Sequence, residues 1–264
     1  MESSLTVGEF TSAAQRQARL LGHLRLEVFA DAQQLKDALG VSIATVRRDL
    51  NELESRGLLK RTHGGATIIN QTTRDYVTPI REITNVEEKS RIGAAAADLV
   101  VEGDAVLIDS GTTSLQAGKH LAGRQSLTFV TNGTDTLAAL VAGGARNVHF
   151  IGGEYIDVNR STGGPMAVDA VRRFSVDKAI LSVTAVDVER GLIATLSPQI
   201  GAVQQAMIEV AKTVIVVADH SKFDRTALSV IGPLKSVDHI VTGDATRAHV
   251  RSLPGSLRAK FIFV

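Results

Sequence analysis

The chain has 264 residues, 44% of them hydrophobic, with a formal net charge of +1 and no cysteine. That length and apolar content suit two modest domains or one large one, each with a buried core. Near-neutrality confines any nucleic-acid surface to a local cluster, and the lack of cysteine excludes disulfides, thiolate metal sites and a cysteine nucleophile.

The opening MESSLTVGEFTSAAQRQARL has neither the basic start nor the unbroken apolar run of a secretory signal. No window reaches the roughly eighteen apolar residues that would span a bilayer, so a cytoplasmic protein without membrane association is expected. Apolar residues then recur at helical spacing: Leu20, Leu21 and Leu24, then Leu35 and Leu39, then Ile43, Val46, Leu50 and Leu53. The stretch LLKRTHGGATII follows, with apolar or β-branched residues on both sides of Gly64 and Gly65, and predicts a hairpin. Three helices and a hairpin make a winged helix-turn-helix, expected over residues 1–68. Residues 69–88 are polar, contain Pro79 and show neither period, which predicts a linker.

Over 89–264 the pattern changes to short apolar runs, at 105–109, 127–131, 147–151, 179–183, 214–218, 239–242 and 260–264. SLQAGKHLA, TDTLAALVAG, AVDAVRRF and QQAMIEVAKT lie between them and have helical character. Continuous Val/Ile-rich runs imply strands covered on both faces, hence an α/β domain with a mostly parallel sheet. Gly164 and Pro165 mark a helix start.

In the front block, Ser42 is placed to cap the third helix after the Gly40-Val41 turn. The inward stripe of that helix leaves Ala44, Thr45, Arg47 and Arg48 on its outer and flanking faces, the end a recognition helix presents to the major groove. A small residue permits close approach, a threonine meets a base edge or a thymine methyl, and an arginine bonds guanine bidentately or clamps a phosphate. Gly57 suits the left-handed residue that ends a helix. Lys60, Arg61 and His63 sit on the hairpin, within reach of the flanking backbone or minor groove. For an isolated arginine pair the plainer reading is solvated charge, with Arg48 paired to Glu52 at four-residue spacing. The combination of helix-turn-helix spacing, a capped third helix, outward arginines and a basic hairpin outweighs it.

LKDALGVSIATVRRDLNELESRGLLKRTHGGA, residues 35–66, resembles the DNA-binding signature of DeoR-type bacterial transcription regulators. The resemblance continues through EEKSRIGAAAADLVVEGDAVLIDSGTTS, FVTNG, FIGGEY, VDKAILSV and VVADHSKF, covering the chain from about Gln15 to Ala245. It implies double-stranded operator DNA as a partner and an effector domain similar in fold to ribose-5-phosphate isomerase.

The residues of the second domain also support a ligand site. In VLIDSGTTS a strand ends at Asp109 and a helix begins near Ser114, so the turn at Gly111, Thr112 and Thr113 offers hydroxyls and free amides suited to a phosphate. Asp109 is placed to accept from neighbouring sugar hydroxyls. The bland alternative is a tight βα connection. Asn132 and Gly133, Gly152 and Gly153, and Lys222 follow later strands; a parallel sheet would bring these ends to one edge. The resemblance implies an effector pocket, for a phosphorylated sugar or related intermediate, lined by these residues with Asp109, Gly111, Thr112 and Thr113. One departure stands out: Ile200 occupies a position where the family commonly carries glutamate.

The expected protein is thus a ligand-responsive regulator, a repressor of a carbohydrate-use operon released by a phosphorylated sugar, acting as a homo-oligomer, with no cofactor. The alternative is a sugar-phosphate isomerase-like enzyme with an accessory helical module, using Asp109 and Lys222. A protein-binding front domain is disfavoured by the basic hairpin. The seven histidines are scattered, without metal-ligand spacing.

Overall fold

The computed structural model describes residues 13–27, 29–56, 58–62, 64–68, 78–223 and 225–264. The chain divides into two compact units, Met1–Asn70 with Pro79–Thr84, and Gln71–Thr78 with Asn85–Val264.

The first unit contains α1 (Ala13–Glu27), β1 (Phe29–Asp31), α2 (Ala32–Leu39), α3 (Ile43–Ser55), β2 (Leu59–Thr62) and β3 (Gly65–Ile68). Leu20, Leu21, Leu24, Leu35, Val46, Leu50 and Leu53 are buried, as the helical spacing predicts, whereas Leu39 and Ile43 are only partly covered. Local chemistry sets the helix limits. The Asp31 carboxylate accepts from the Gln33 and Gln34 N–H groups at 2.8 Å, and the Gln34 side chain accepts from the Asp31 N–H at 2.9 Å, a reciprocal capping box that starts α2. Gly40, at φ 66°, ends that helix, and the Ser42 hydroxyl accepts from the Thr45 N–H at 3.1 Å to start α3.

The hairpin of β2 and β3 turns at Gly64, whose φ of 89° suits glycine. Gly65 serves a different purpose. A Cβ there would stand 2.3 Å from the Ala30 carbonyl oxygen, so its bareness lets β1 pair with β3 and extend the hairpin to three strands. Sequence patterning did not reveal β1, because three residues are too few to display a period.

Within the stretch read as linker, α4 (Thr78–Ile83) is helical and α5 (Val86–Asp98) begins before Lys89; residues 69–77 lie outside the described residues. The second unit continues through β4 (Ala105–Ile108), α6 (Thr112–Leu121), β5 (Thr128–Thr131), α7 (Thr134–Ala142), β6 (Asn147–Phe150), β7 (Glu154–Ile156), β8 (Ser161–Gly163) and α8 (Gly164–Val171). It then follows β9 (Val176–Ser182), β10 (Ala185–Asp187), β11 (Leu192–Thr195), α9 (Pro198–Val210), β12 (Ala211–Ala218), β13 (Ser229–Pro233), β14 (His239–Thr242) and β15 (Phe261–Phe263).

Every predicted apolar run becomes a strand of one seven-stranded parallel sheet, in the order β15-β14-β12-β9-β4-β5-β6. Alternate residues face opposite sides, and both sides are covered. Val106, Ile108, Phe129, Ile215 and Val217 pack with Ile92 and Leu121 of α5 and α6, while Leu107, Val130, Leu181 and Val216 pack with Val171 and Met207 of α8 and α9. Burial on both faces explains the unbroken apolar runs of the inner strands, whereas the edge strand β6 is mostly exposed.

One helical expectation is corrected. QQAMIEVAKT was read as helical throughout, but α9 stops at Val210 and Ala211 begins β12, pairing with Val176 of the long strand β9. Ladder formation beside a buried strand overrides local propensity here. The antiparallel sheet β10-β11-β13 and the hairpin β7-β8 add to the α/β layers. Among the described residues no helix is long and apolar enough to cross a membrane.

Candidate functional site

On α3, Val46, Leu50 and Leu53 point into the core, leaving Ser42, Ala44, Arg47 and Arg48 exposed and Thr45 half-buried. The Ser42 and Thr45 hydroxyls lie 2.9 Å apart, so Thr45 also bonds the cap residue of its own helix. Arg48 does not pair with Glu52. That carboxylate receives the Gln17 amide at 2.9 Å and lies 3.9 Å from Arg56, and among the described residues Arg47 and Arg48 form no ion pair.

The acid beside them has another task. Asp49 is buried and accepts from the Arg16 guanidinium through both oxygens, with Nη2 at 3.0 Å, while Gln17 reaches both Asp49 and Glu52. This network ties α1 to α3 and fixes the angle at which the arginine face is shown. Lys60 is exposed on β2. Arg61 is engaged within the unit: its guanidinium donates to Asn51 Oδ1, and its backbone N–H donates to Glu54 at 2.8 Å. Gly57 and His63 lie outside the described residues.

In the sheet, the connection from β4 leads to β5 on one side and that from β9 leads to β12 on the other. Strand order therefore reverses between β4 and β9, and the crevice beyond their carboxyl ends is where open α/β sheets hold ligands. Asp109 stands there, buried. Its carboxylate accepts from the Gly111 N–H at 3.0 Å, from the Ser182 N–H and Gln204 Nε2 at 2.9 Å each, and from the Ser114 hydroxyl. Burial pushes the Asp109 carboxyl above its ordinary range, against the hydrogen bonds from Ser114, Gly111, Gln204 and Ser182. An ionised carboxylate has about four acceptor positions, and these donors fill them. Through them Asp109 clamps β4, β9, α6 and α9 together, which weighs against the expectation that it meets sugar hydroxyls.

Gly111 is likewise structural, since a Cβ there would lie 2.1 Å from the Ser182 Cβ. Gly133 passes the Ser110 Cα, which a Cβ would approach to 2.8 Å, and Gly153 passes the Gly163 carbonyl, to 2.5 Å; Gly152 is exposed with open space beside it.

The clamped turn still presents chemistry. Thr112 and Thr113 open α6, where first-turn N–H groups have no helical acceptor, and among the described residues their hydroxyls have no hydrogen-bond partner. Asn132 donates to the Thr162 carbonyl at 2.9 Å, leaving its buried Oδ1 without a partner. Gln204 donates to Asp109 and to the Ser182 carbonyl at 2.7 Å, leaving its buried Oε1 without one. Buried acceptors are rarely left so. Sequence reasoning missed Gln204 and Ser182, which reach Asp109 only through the packing of α9 and the pairing of β4 with β9. Ile200 is half-buried in the first turn of α9, one turn from Gln204.

Lys222 lies in a short 3-10 turn, His220–Lys222, after β12. Just before it, buried Asp219 accepts from the Asn85 side chain and the Ser221 N–H at 3.0 Å each, with the buried Lys89 ammonium at 4.0 Å. Burial alone would raise the Asp219 pKa; Lys222, Lys89 and the hydrogen bonds from Ser221 and Asn85 outweigh it and hold the carboxyl well below the usual range. Glu88 accepts from the His220 N–H at 2.9 Å and meets its Nδ1 at 2.6 Å, a bond that raises the His220 pKa. Glu88, Asp219 and His220 bring ligand atoms within 4.8 Å of one another, though no spacing in the sequence announces it. Lys89 and Lys222 already balance their charge.

A depressed Asp219 stabilises the folded state above the ordinary aspartate pKa of about 3.9, and that contribution is lost as pH falls towards the folded value. Asp219→Asn should therefore weaken the protein near neutrality and flatten the acid limb of its urea-midpoint profile. Profiles that run parallel for the two proteins would contradict this role.

Residues 16–72 match the DeoR-like helix-turn-helix domain, and residues 84–244 match the DeoR C terminal sensor domain. The chain belongs to the DeoR family of transcriptional regulators. It is 46% identical over 253 residues to the transcriptional repressor AccR of Agrobacterium fabrum, spanning 96% of this chain and 98% of that one. With the glycerol-3-phosphate regulon repressor of Escherichia coli the identity is 30% over 230 residues, 86% and 90% of the two chains. The ribose 5-phosphate isomerase A of Methanocaldococcus jannaschii is similar over 53% of this chain and 55% of its own, at 13% identity and a TM-score of 0.41. In DeoR terms, α3 belongs to the helix-turn-helix domain and the β4–β9 crevice to the sensor domain.

Proposed function

We propose that this DeoR regulator is a repressor of a carbohydrate-use operon and leaves its operator when a phosphorylated sugar binds the sensor unit. The observation that carries the effector class is the mixture of groups around the β4–β9 crevice. Free amides and hydroxyls at Thr112 and Thr113 suit a phosphate, while the unpartnered carbonyl oxygens of Asn132 and Gln204 call for donors such as sugar hydroxyls. Lys222 adds a cation, and Gly152, Gly153 and Gly133 border the same strand ends. A relative named for the glycerol-3-phosphate regulon fits this chemistry.

On the DNA side, Ser42, Ala44, Thr45, Arg47 and Arg48 form the groove-facing end of α3, and Lys60 a flanking backbone contact. Arg61 and His63 remain part of that proposal, Arg61 in a supporting role because Asn51 and Glu54 hold it. Residues 1–68 act as the DNA-binding domain, 69–88 as the connection and 89–264 as the sensor. Paired half-sites favour a homo-oligomer, working in the cytoplasm where DNA and sugar phosphates meet. Against the isomerase-like alternative stand the repressor names of the relatives and an Asp109 with no oxygen free for proton transfer.

A fluorescence-anisotropy titration on DNA from the protein's own promoter tests this reading, with ribose 5-phosphate, glucose 6-phosphate and glycerol 3-phosphate as probes and inorganic phosphate as control. Salt-dependent binding reversed by one sugar phosphate is expected. Thr112→Ala or Lys222→Ala should leave operator binding intact and remove the response. Operator binding indifferent to every probe would sink the effector class.

A further inference from the structure

Asn85, the N-cap of α5, follows directly on Thr84, where the first unit ends, and it reaches the turn that carries Lys222 together with Glu88 and Lys89 of the first turn. Asn85 donates to Asp219, Lys89 lies 4.0 Å from that carboxylate, and Glu88 accepts from the His220 backbone while bonding its ring. Asn85 holds its contact from a left-handed conformation, φ 53°, which asparagine adopts more readily than other residues with a side chain. Gly243, at the end of β14, keeps the space clear: a Cβ there would lie 2.2 Å from Glu88 Oε1. Three elements far apart in sequence thus converge to hold one short turn to one helix end.

We propose that Asn85, Glu88 and Lys89 are positioning residues that transmit effector occupancy, through the Asp219–Lys222 turn, to the start of α5. The proposal rests on the phosphorylated-effector reading of the site. Asp219 has the Lys89 ammonium of α5 at 4.0 Å, and Lys222 ends the short turn that Asp219 caps. An anion that draws Lys222 to itself leaves Asp219 to Lys89 and Asn85, so the bound and free states differ in how tightly the turn is tied to α5. A ligand shifts an equilibrium only through such a difference between two states. The strap at α5 is where that difference enters the chain segment leading to the DNA-binding unit.

The test uses the full chain and three variants: Glu88→Ala, Asn85→Gly, which tolerates the positive φ, and Gly243→Ala, which displaces only the flexible end of Glu88. Operator affinity is read by anisotropy and probe affinity by calorimetry, with the same three sugar phosphates and inorganic phosphate. Each variant is expected to bind operator and probe within about threefold of the parent, while the probe concentration that releases DNA rises about tenfold or more. Release at the parent's concentration in all three variants overturns the proposal. Should Glu88→Ala fail to fold, Gly243→Ala decides. If no probe releases the parent, the effector reading itself has failed and the strap proposal, which rests on it, falls with it, an outcome distinct from variants that release at the parent's concentration.

Discussion

Asp109→Ala is expected to unfold the α/β unit, with a loss of about 4 kcal/mol or more, rather than merely to empty a ligand site. The substitution strands the buried Gly111 N–H, Gln204 amide and Ser114 hydroxyl and the partly buried Ser182 N–H. A buried donor left unmade costs about 1 to 3 kcal/mol, and neighbouring losses are not additive, so the figure is set below the simple sum. Asp109→Asn, which keeps one carbonyl oxygen, should cost roughly half as much. Urea denaturation followed by circular dichroism distinguishes the outcomes. A well-folded alanine variant, within about 1 kcal/mol of the parent, would return Asp109 to the ligand-contact role that its strand-end position first suggested.

The second large effect concerns α3. Removing both Arg47 and Arg48 should weaken operator binding by about 3 kcal/mol, on the order of a hundredfold, since a good base contact alone contributes about 1 to 3 kcal/mol. No internal partner competes for either side chain among the described residues. Single variants separate the roles. The base reader loses discrimination at one position of the operator, whereas the phosphate clamp lowers affinity for every sequence and reduces the salt slope by about 1. Arg61→Ala should affect DNA less, because Asn51 already holds that guanidinium. An operator titration unchanged in the double variant would remove α3 from the groove.

The layout of the chain was legible because its signals are local. Helical spacing located α1, α2 and α3, Ser42 marked the start of α3, and unbroken apolar runs located the strands of the parallel sheet. Elements shorter than a period, such as β1 and β10, left no comparable trace. The strand-end residues proposed for the effector site were legible as loop residues, but their packing partners were not. Gly111 looked like room for a ligand, yet the neighbour that needs the room is Ser182, brought in by the pairing of β4 with β9. Asp49 carries no local signal of its role, because its partner Arg16 lies 33 residues away on α1. Ala211 shows the converse: a good helix former becomes a strand residue where a long neighbour offers a ladder.

The separation of Asp109 from its donors also bears on how the protein is made. Ser182 and Gln204 are synthesised 73 and 95 residues after it. The helix-turn-helix, by contrast, is complete within the first seventy or so residues of the chain and can fold as it leaves the ribosome. Vectorial synthesis therefore delivers the operator-binding part first and the means of releasing it last. A nascent chain cut short before Ser182 would hold every element of the helix-turn-helix, together with an Asp109 carboxylate that still lacks two of its four donors.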